Sequence, residues 1–221
     1  MRKISLLLLP AFLITGCVTK TSGIELSVLC PTGAPSIAFY RYANDSKFNT
    51  NNNVSNIVGM MSEGSTYDVI VVDTTSGIQA IRNGSPYKLA CTITLGNFYI
   101  ASTGKDVSGT IDEGETVVLF GNQNAIPYKI FSYLYGAKVN VEFCGGGVDK
   151  ALQVLETGKN LATGNDASWV FIAEPYLFRA QNNTTSLIYN KDYPVVNVQE
   201  KYKEKNANLP LMQASVFIKN S

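Results

Sequence analysis

Four times along the chain an apolar run stops at a short segment rich in glycine, proline, threonine, serine or asparagine. The runs are GIELSVLC (23–30), YDVIVVD (67–73), ETVVLFG (115–121) and SWVFIA (168–173). Continuous apolar runs of this length, bounded by turn residues, predict strands buried on both faces. Helix-period segments follow three of them: SIAFYRYAN (36–44), IQAIRNG (78–84) and YKIFSYLYG (128–136). The intervening PTGAP (31–35), TTSG (74–77) and NQNAIP (122–127) read as turns, and Gly84 as a helix stop. In the fourth cycle Pro175 fits the first position of a helix and Glu174 the cap before it. Strands alternating with helices predict an α/β protein with mainly parallel sheets. The asparagine-rich stretch 44–65 reads as a short strand and a helix.

The cycles fall into two groups. Residues 23–103 form a first lobe, 104–112 a connector and hinge, 113–182 a second lobe, and 183–221 a return segment. Within this division LACTITLGNFYIASTGKDVSG (89–109) reads as one outgoing strand and its connector. Loops at the carboxyl ends of the strands would face one another across a cleft, where open α/β sheets bind ligands.

Composition narrows the partners. Among 221 residues the formal net charge is +1 and 16% are charged, so nothing draws the chain electrostatically to nucleic acid. The N-terminus is more specific: Arg2 and Lys3 precede an apolar run that ends at Ile14-Thr15-Gly16-Cys17. This is a secretory signal over 1–16. Its last four residues resemble a bacterial lipobox, which implies acylation of Cys17, a lipidated linker over 17–22 and attachment at the extracytoplasmic face of the cell membrane. No later apolar run approaches the ~20 residues of a spanning helix. Cys30, Cys91 and Cys144 remain, enough for one bridge at most; Cys30 and Cys91 lie in apolar segments and read first as small buried hydrophobes. There is no histidine and no Cys-x-x-Cys, so the commonest zinc sets are unavailable and no cofactor is expected.

The turns after the strands offer Gly33, Ala34, Thr74, Thr75, Ser76, Asn97, Asn122, Gln123, Asn124 and the glycines 145–147. These are neutral donors and bare backbone, suited to a polar group without a basic clamp. No arginine lies among them. Glu174 would accept from an amine or amide, and Tyr40, Phe98, Tyr99 and Tyr176 would stack on a flat ring. Without histidine no Ser-His-Asp or Cys-His arrangement exists. A carboxylate pair of Glu174 and Asp73 leaves a lipid-anchored enzyme as one alternative, and a surface lipoprotein without transport as another.

PTGAPSIAFYRY, YDVIVVDTTSGIQAI, LGNFYIAS, VDKALQVLETGKN and WVFIAEPYLFRA, in that order over residues 24 to about 218, carry a family resemblance. The chain resembles type II periplasmic-binding-protein lipoproteins, the solute receptors of ABC importers, in the branch of nitrate, sulfonate, taurine and thiamine-precursor receptors. The resemblance implies a two-lobed α/β fold, a small-molecule solute held between the lobes, a permease partner, a monomer and no catalysis. Family members continue for several tens of residues beyond a segment like LPLMQASVFIKNS. The loop chemistry favours a heteroaromatic such as a thiamine pyrimidine precursor over nitrate or a sulfonate.

Overall fold

The computed structural model describes residues 25–104, 109–189 and 191–220. The signal, Cys17 and the linker lie outside them. The first half runs β1 (Val28–Pro31), α1 (Ala34–Ile37), β2 (Phe48–Asn51), α2 (Val54–Gly59), β3 (Val69–Asp73), α3 (Thr74–Arg82) and β4 (Tyr87–Thr94). Then follow β5 (Phe98–Ser102), β6 (Thr116–Leu119), α4 (Ile126–Tyr135), β7 (Asn140–Phe143), α5 (Val148–Thr157), β8 (Trp169–Ala173) and α6 (Tyr176–Asn182). The chain closes with β9 (Val195–Asn197), α7 (Val198–Lys205) and β10 (Ala214–Lys219).

Two five-stranded sheets result, in the orders β2-β1-β3-β10-β4 and β7-β6-β8-β5-β9. In each, three strands from one half of the chain run parallel, and the fourth position is an antiparallel strand delivered from elsewhere. The two orders correspond strand for strand, with β10 and β5 as equivalents.

The lobe boundaries therefore move. Phe98–Ser102 was expected to close the first lobe, but it pairs with β8 and β9 in the second sheet. Phe98 and Ile100 are buried there beside Trp169 and Phe171. The chain crosses at 95–97 instead of 104–112. Of the return segment, β9 completes the second sheet, and only β10 goes back to the first, between β3 and β4. The physical cause is the two-residue alternation of β5, which gives it one face for each of two cores.

Alternation explains the other strands too. Ile70 and Val72 face one cluster with Leu29, Ile57 and Phe217, while Val69 and Val71 face another with Val28 and Cys30. In the second sheet Val170 and Ile172 point one way and Trp169 and Phe171 the other. The helices differ from expectation at two places. The first is a single turn followed by a 3-10 turn at Tyr40–Tyr42, with Ile37 and Tyr40 exposed; Phe39 turns inward and stacks on Phe48 at 5.7 Å. The TTSG segment is the first turn of α3, because Asp73 accepts the Ser76 amide at 2.9 Å and starts the helix there. Glycine stops end α4 and α5, with Gly158 left-handed at the second.

All three described cysteines are free. Burial pushes the Cys30 thiol up to about 12 and raises that of Cys144. Cys91 departs from the expectation of burial: it is exposed, on the edge strand β4, where Lys88 to Cys91 are all open to solvent. No helix among the described residues is long and apolar enough to cross a membrane.

Helix α3 lies directly on β10. A Cβ at Gly77 would stand 2.1 Å from the Phe217 ring, whose side chain is fully buried. Gly77→Ala should therefore destabilise the protein by roughly 1–3 kcal/mol, the usual cost of overpacking. Chemical denaturation checks it, and unchanged stability would mean that α3 is free to lift off the sheet.

Candidate solute site and hinge

The carboxyl edges of the two sheets meet where the chain crosses between them. Gln213, buried on the second crossing, organises the junction. Its main chain takes the Thr74 amide at 3.1 Å, at the first turn of α3, and gives its own N–H to Thr94 at 2.9 Å. Its side chain accepts the Asn97 amide at 3.0 Å and donates to Asn97 Oδ1, so two side-chain and main-chain amides lock the crossings together. Asn97 passes the link on: its carbonyl accepts the Glu174 amide at 3.0 Å, and its Nδ2 donates to the Glu174 carbonyl at 3.2 Å. A second glutamine, Gln199, is also buried and accepts the Leu211 amide at 3.1 Å. It packs on Gly96, whose φ of +94 and lack of Cβ let the side chain approach.

Beside this junction a groove of about 560 Å³ runs between the lobes. The first lobe supplies Thr75, Ser76, Gln79 and Asn83 along α3, with Ser62 and Glu63 from the loop before β3. The second supplies Asn124 and Lys129. The size suits a small-molecule ligand.

Thr75, Ser76 and Asn124 thus share one cavity. Thr74 and Asn97 do not reach it. The Thr74 hydroxyl is buried against Ser215 Oγ at 2.7 Å, and the Asn97 amide serves the hinge. Asn122 accepts the Asn124 amide at 2.8 Å and shapes the loop, while Gln123 is exposed beside it. Gly33 and Ala34 hold the end of β1, with Gly33 at φ +112. Tyr176 and Tyr99 pack against the second lobe's core, Phe98 lies inside it, and Tyr40 is 79% exposed and not among the groove's lining residues. No aromatic residue is among those lining the groove.

Glu174 caps α6, but not as the pattern predicted. Pro175 is the N-cap, after a cis Glu174–Pro175 bond, and the Glu174 carboxylate reaches forward to accept the Phe178 amide at 3.1 Å. Asp73, its partner in the carboxylate-pair alternative, likewise caps a helix. Gln199, Gln213, Glu63 and Lys129 escaped sequence reasoning. The one available signal was Gln213 itself, a lone amide inside the apolar run LMQASVFI.

No protein-family model and no curated protein sequence matches the chain. Solved structures do. An ABC transporter structure from Parabacteroides distasonis superposes with a TM-score of 0.61 at 13% identity, covering 88% of this chain and 66% of that one. The ligand-binding component of an ABC-type import system from Staphylococcus aureus gives 0.58 at 7% identity, covering 88% and 65%. The periplasmic aliphatic sulphonate binding protein SsuA from Escherichia coli gives 0.54 at 11%, covering 88% and 61%. The chain has the two-lobed periplasmic-binding-protein type II fold. At such identities the likeness is one of architecture, and the chain spans between 61% and 66% of the length of these three structures.

Within this periplasmic-binding-protein fold, cap and hinge separate by mutation. Glu174→Ala should cost about 1 kcal/mol, the worth of a helix cap. Gln213→Leu should cost more, ~1–3 kcal/mol, because it strands the Asn97 amide groups. Urea denaturation of both variants checks the order; a Gln213→Leu protein as stable as the parent would mean that the amide pair does not hold the crossings.

Proposed function

We propose that this protein is an extracytoplasmic solute receptor, anchored by lipid at Cys17, that captures a small polar solute between its lobes and delivers it to the permease of an ABC importer. The observation that carries the reading is the inter-lobe groove, lined from both lobes beside a junction of only two chain crossings. A solute touching both walls binds the closed arrangement better than the open one, and that difference in affinity shifts the lobes together. Closure is what a permease would read. The solved structures of similar architecture described as ABC-import components support the same reading.

The solute site takes in Thr75, Ser76 and Asn124, with Gly33, Ala34, Asn122 and Gln123 at the rims that approach on closure. Glu174 keeps one carboxylate oxygen beyond the one that caps α6. A stacked heteroaromatic, such as a thiamine precursor, has less support than a small polar solute, because the candidate rings lie in the core or on the outer surface.

Two measurements test this. Cys17→Ser should leave the protein unprocessed or released on membrane fractionation, and unchanged attachment of the mature form would remove the anchor from the proposal. With a saturating 1:1 solute, identified by native mass spectrometry of protein from its own host, the radius of gyration in small-angle scattering should fall. Turnover of that solute, or tight binding without compaction, would overturn the receptor mechanism.

A further inference from the structure

The groove has a direction. It follows α3 from Thr75 to Asn83, eight residues, or about 12 Å at the helical rise. Thr75 and Ser76 sit at the carboxyl edge of the first sheet, because α3 starts where β3 ends. Asn83 and the start of β4 lie at the opposite edge. Glu63 belongs to that far end: Lys219, paired with Tyr87 in the ladder, donates to the Glu63 and Ser65 carbonyls at 2.8 Å. Lys129 comes from the other lobe. It lies in the first turn of α4, just after the loop that leaves the carboxyl edge of β6 and contributes Asn124, and Thr75 stands at the corresponding edge of the first sheet.

Glu63 and Lys129 are the two charged residues lining the groove, one from each lobe. Neither the Glu63 carboxylate nor the Lys129 ammonium pairs with any described side chain. Between them the wall is neutral and hydrogen-bonding, with the Thr75 and Ser76 hydroxyls and the Gln79 and Asn83 amides, the last two joined at 3.1 Å. Val58 and Met61 supply an apolar floor.

We infer that the groove takes an elongated zwitterion, of the class of a short unblocked peptide, with its ammonium at Glu63 and its carboxylate at Lys129. The inference rests on reading the inter-lobe groove as the solute site. An extended tripeptide spans roughly 10–11 Å, close to the ~12 Å of α3 that lines the groove. Its amides satisfy the neutral donors and acceptors along α3. Such a solute touches charges on two lobes at once, so it draws them together where a single-ended anion would engage Lys129 alone.

Titration calorimetry at low salt on the full-length protein tests it with triglycine, N-acetyl-triglycine and triglycinamide. Triglycine should bind 1:1, and blocking either end should weaken binding at least tenfold. Glu63→Gln should abolish the penalty of acetylation and Lys129→Met that of amidation, each leaving the other penalty intact; thermal melts of both variants confirm that they fold. Blocked peptides binding as well as triglycine, penalties that survive the matching substitution, or no binding of triglycine would overturn the inference. A native solute lacking one of the two charges that nonetheless compacts the protein would overturn the zwitterion and leave the receptor standing. Triglycine bound with both penalties but without compaction would support the groove chemistry and overturn closure.

Discussion

The pairing of Asn97 with Gln213 is the constraint on which the two-lobed arrangement depends. Among the described residues the chain crosses between the lobes twice, and both crossings pass through it. An amide pair suits this position. Each side chain donates and accepts, so the polar main chain of two crossing segments is satisfied without a regular ladder, and a half-satisfied junction would be costly in a partly buried setting. The same residues fix what lies next to them. Through the Gln213 carbonyl the pair sets the start of α3, and through the Asn97 carbonyl the end of β8. The wall of the groove and the entry to α6 are thus referenced to one point.

That common reference explains why helix capping and hinge geometry absorb residues that would otherwise serve as ligands. Asp73, Thr74 and Glu174 lie where strands end and helices begin, Asn97 lies in the crossing from β4 to β5, and each finds a partner in the protein. Thr75 and Ser76, next along the same turn, and Gln79, one turn further on, face outward from an α3 held firmly on Phe217. The two charged residues of the groove, Glu63 and Lys129, come from a loop before β3 and from the opposite lobe.

The parallel strands were legible because burial on both faces writes them as apolar runs; β3, β6 and β8 stand within the segments read that way, and β1 overruns its segment by Pro31. Sheet membership was not. GNFY could continue β4 or begin a new strand, and only pairing with β8, some seventy residues away, decides it. Helix starts were misplaced where a side chain reaches back to cap, as Asp73 does, since serine and threonine read equally as turn or first turn. The composition of the strand-end loops singled out Thr75, Ser76 and Asn124, which line the groove. It could not separate them from Thr74 and Asn97, because whether a hydroxyl or amide is already engaged depends on Ser215 and Gln213, more than a hundred residues later. Glu63 and Lys129 carried no signal at all: a charge in a polar loop or on a helix face is ordinary until a cavity singles it out.

The exchange of strands also orders the events by which the chain acquires its shape. The second sheet draws every strand from residues 98–197, so it can assemble from one continuous stretch. The first cannot: between β3 and β4 it keeps a gap that only β10 fills, and β10 supplies Phe217 to the core beneath α3. Until that strand arrives, β3 and β4 present unpaired edges and α3 lacks its seat. Contacts of such long sequence separation form slowly and late. A chain emerging from its N-terminus therefore completes its later half first, and its earlier half stays open, without a stable core, until the last strand is delivered.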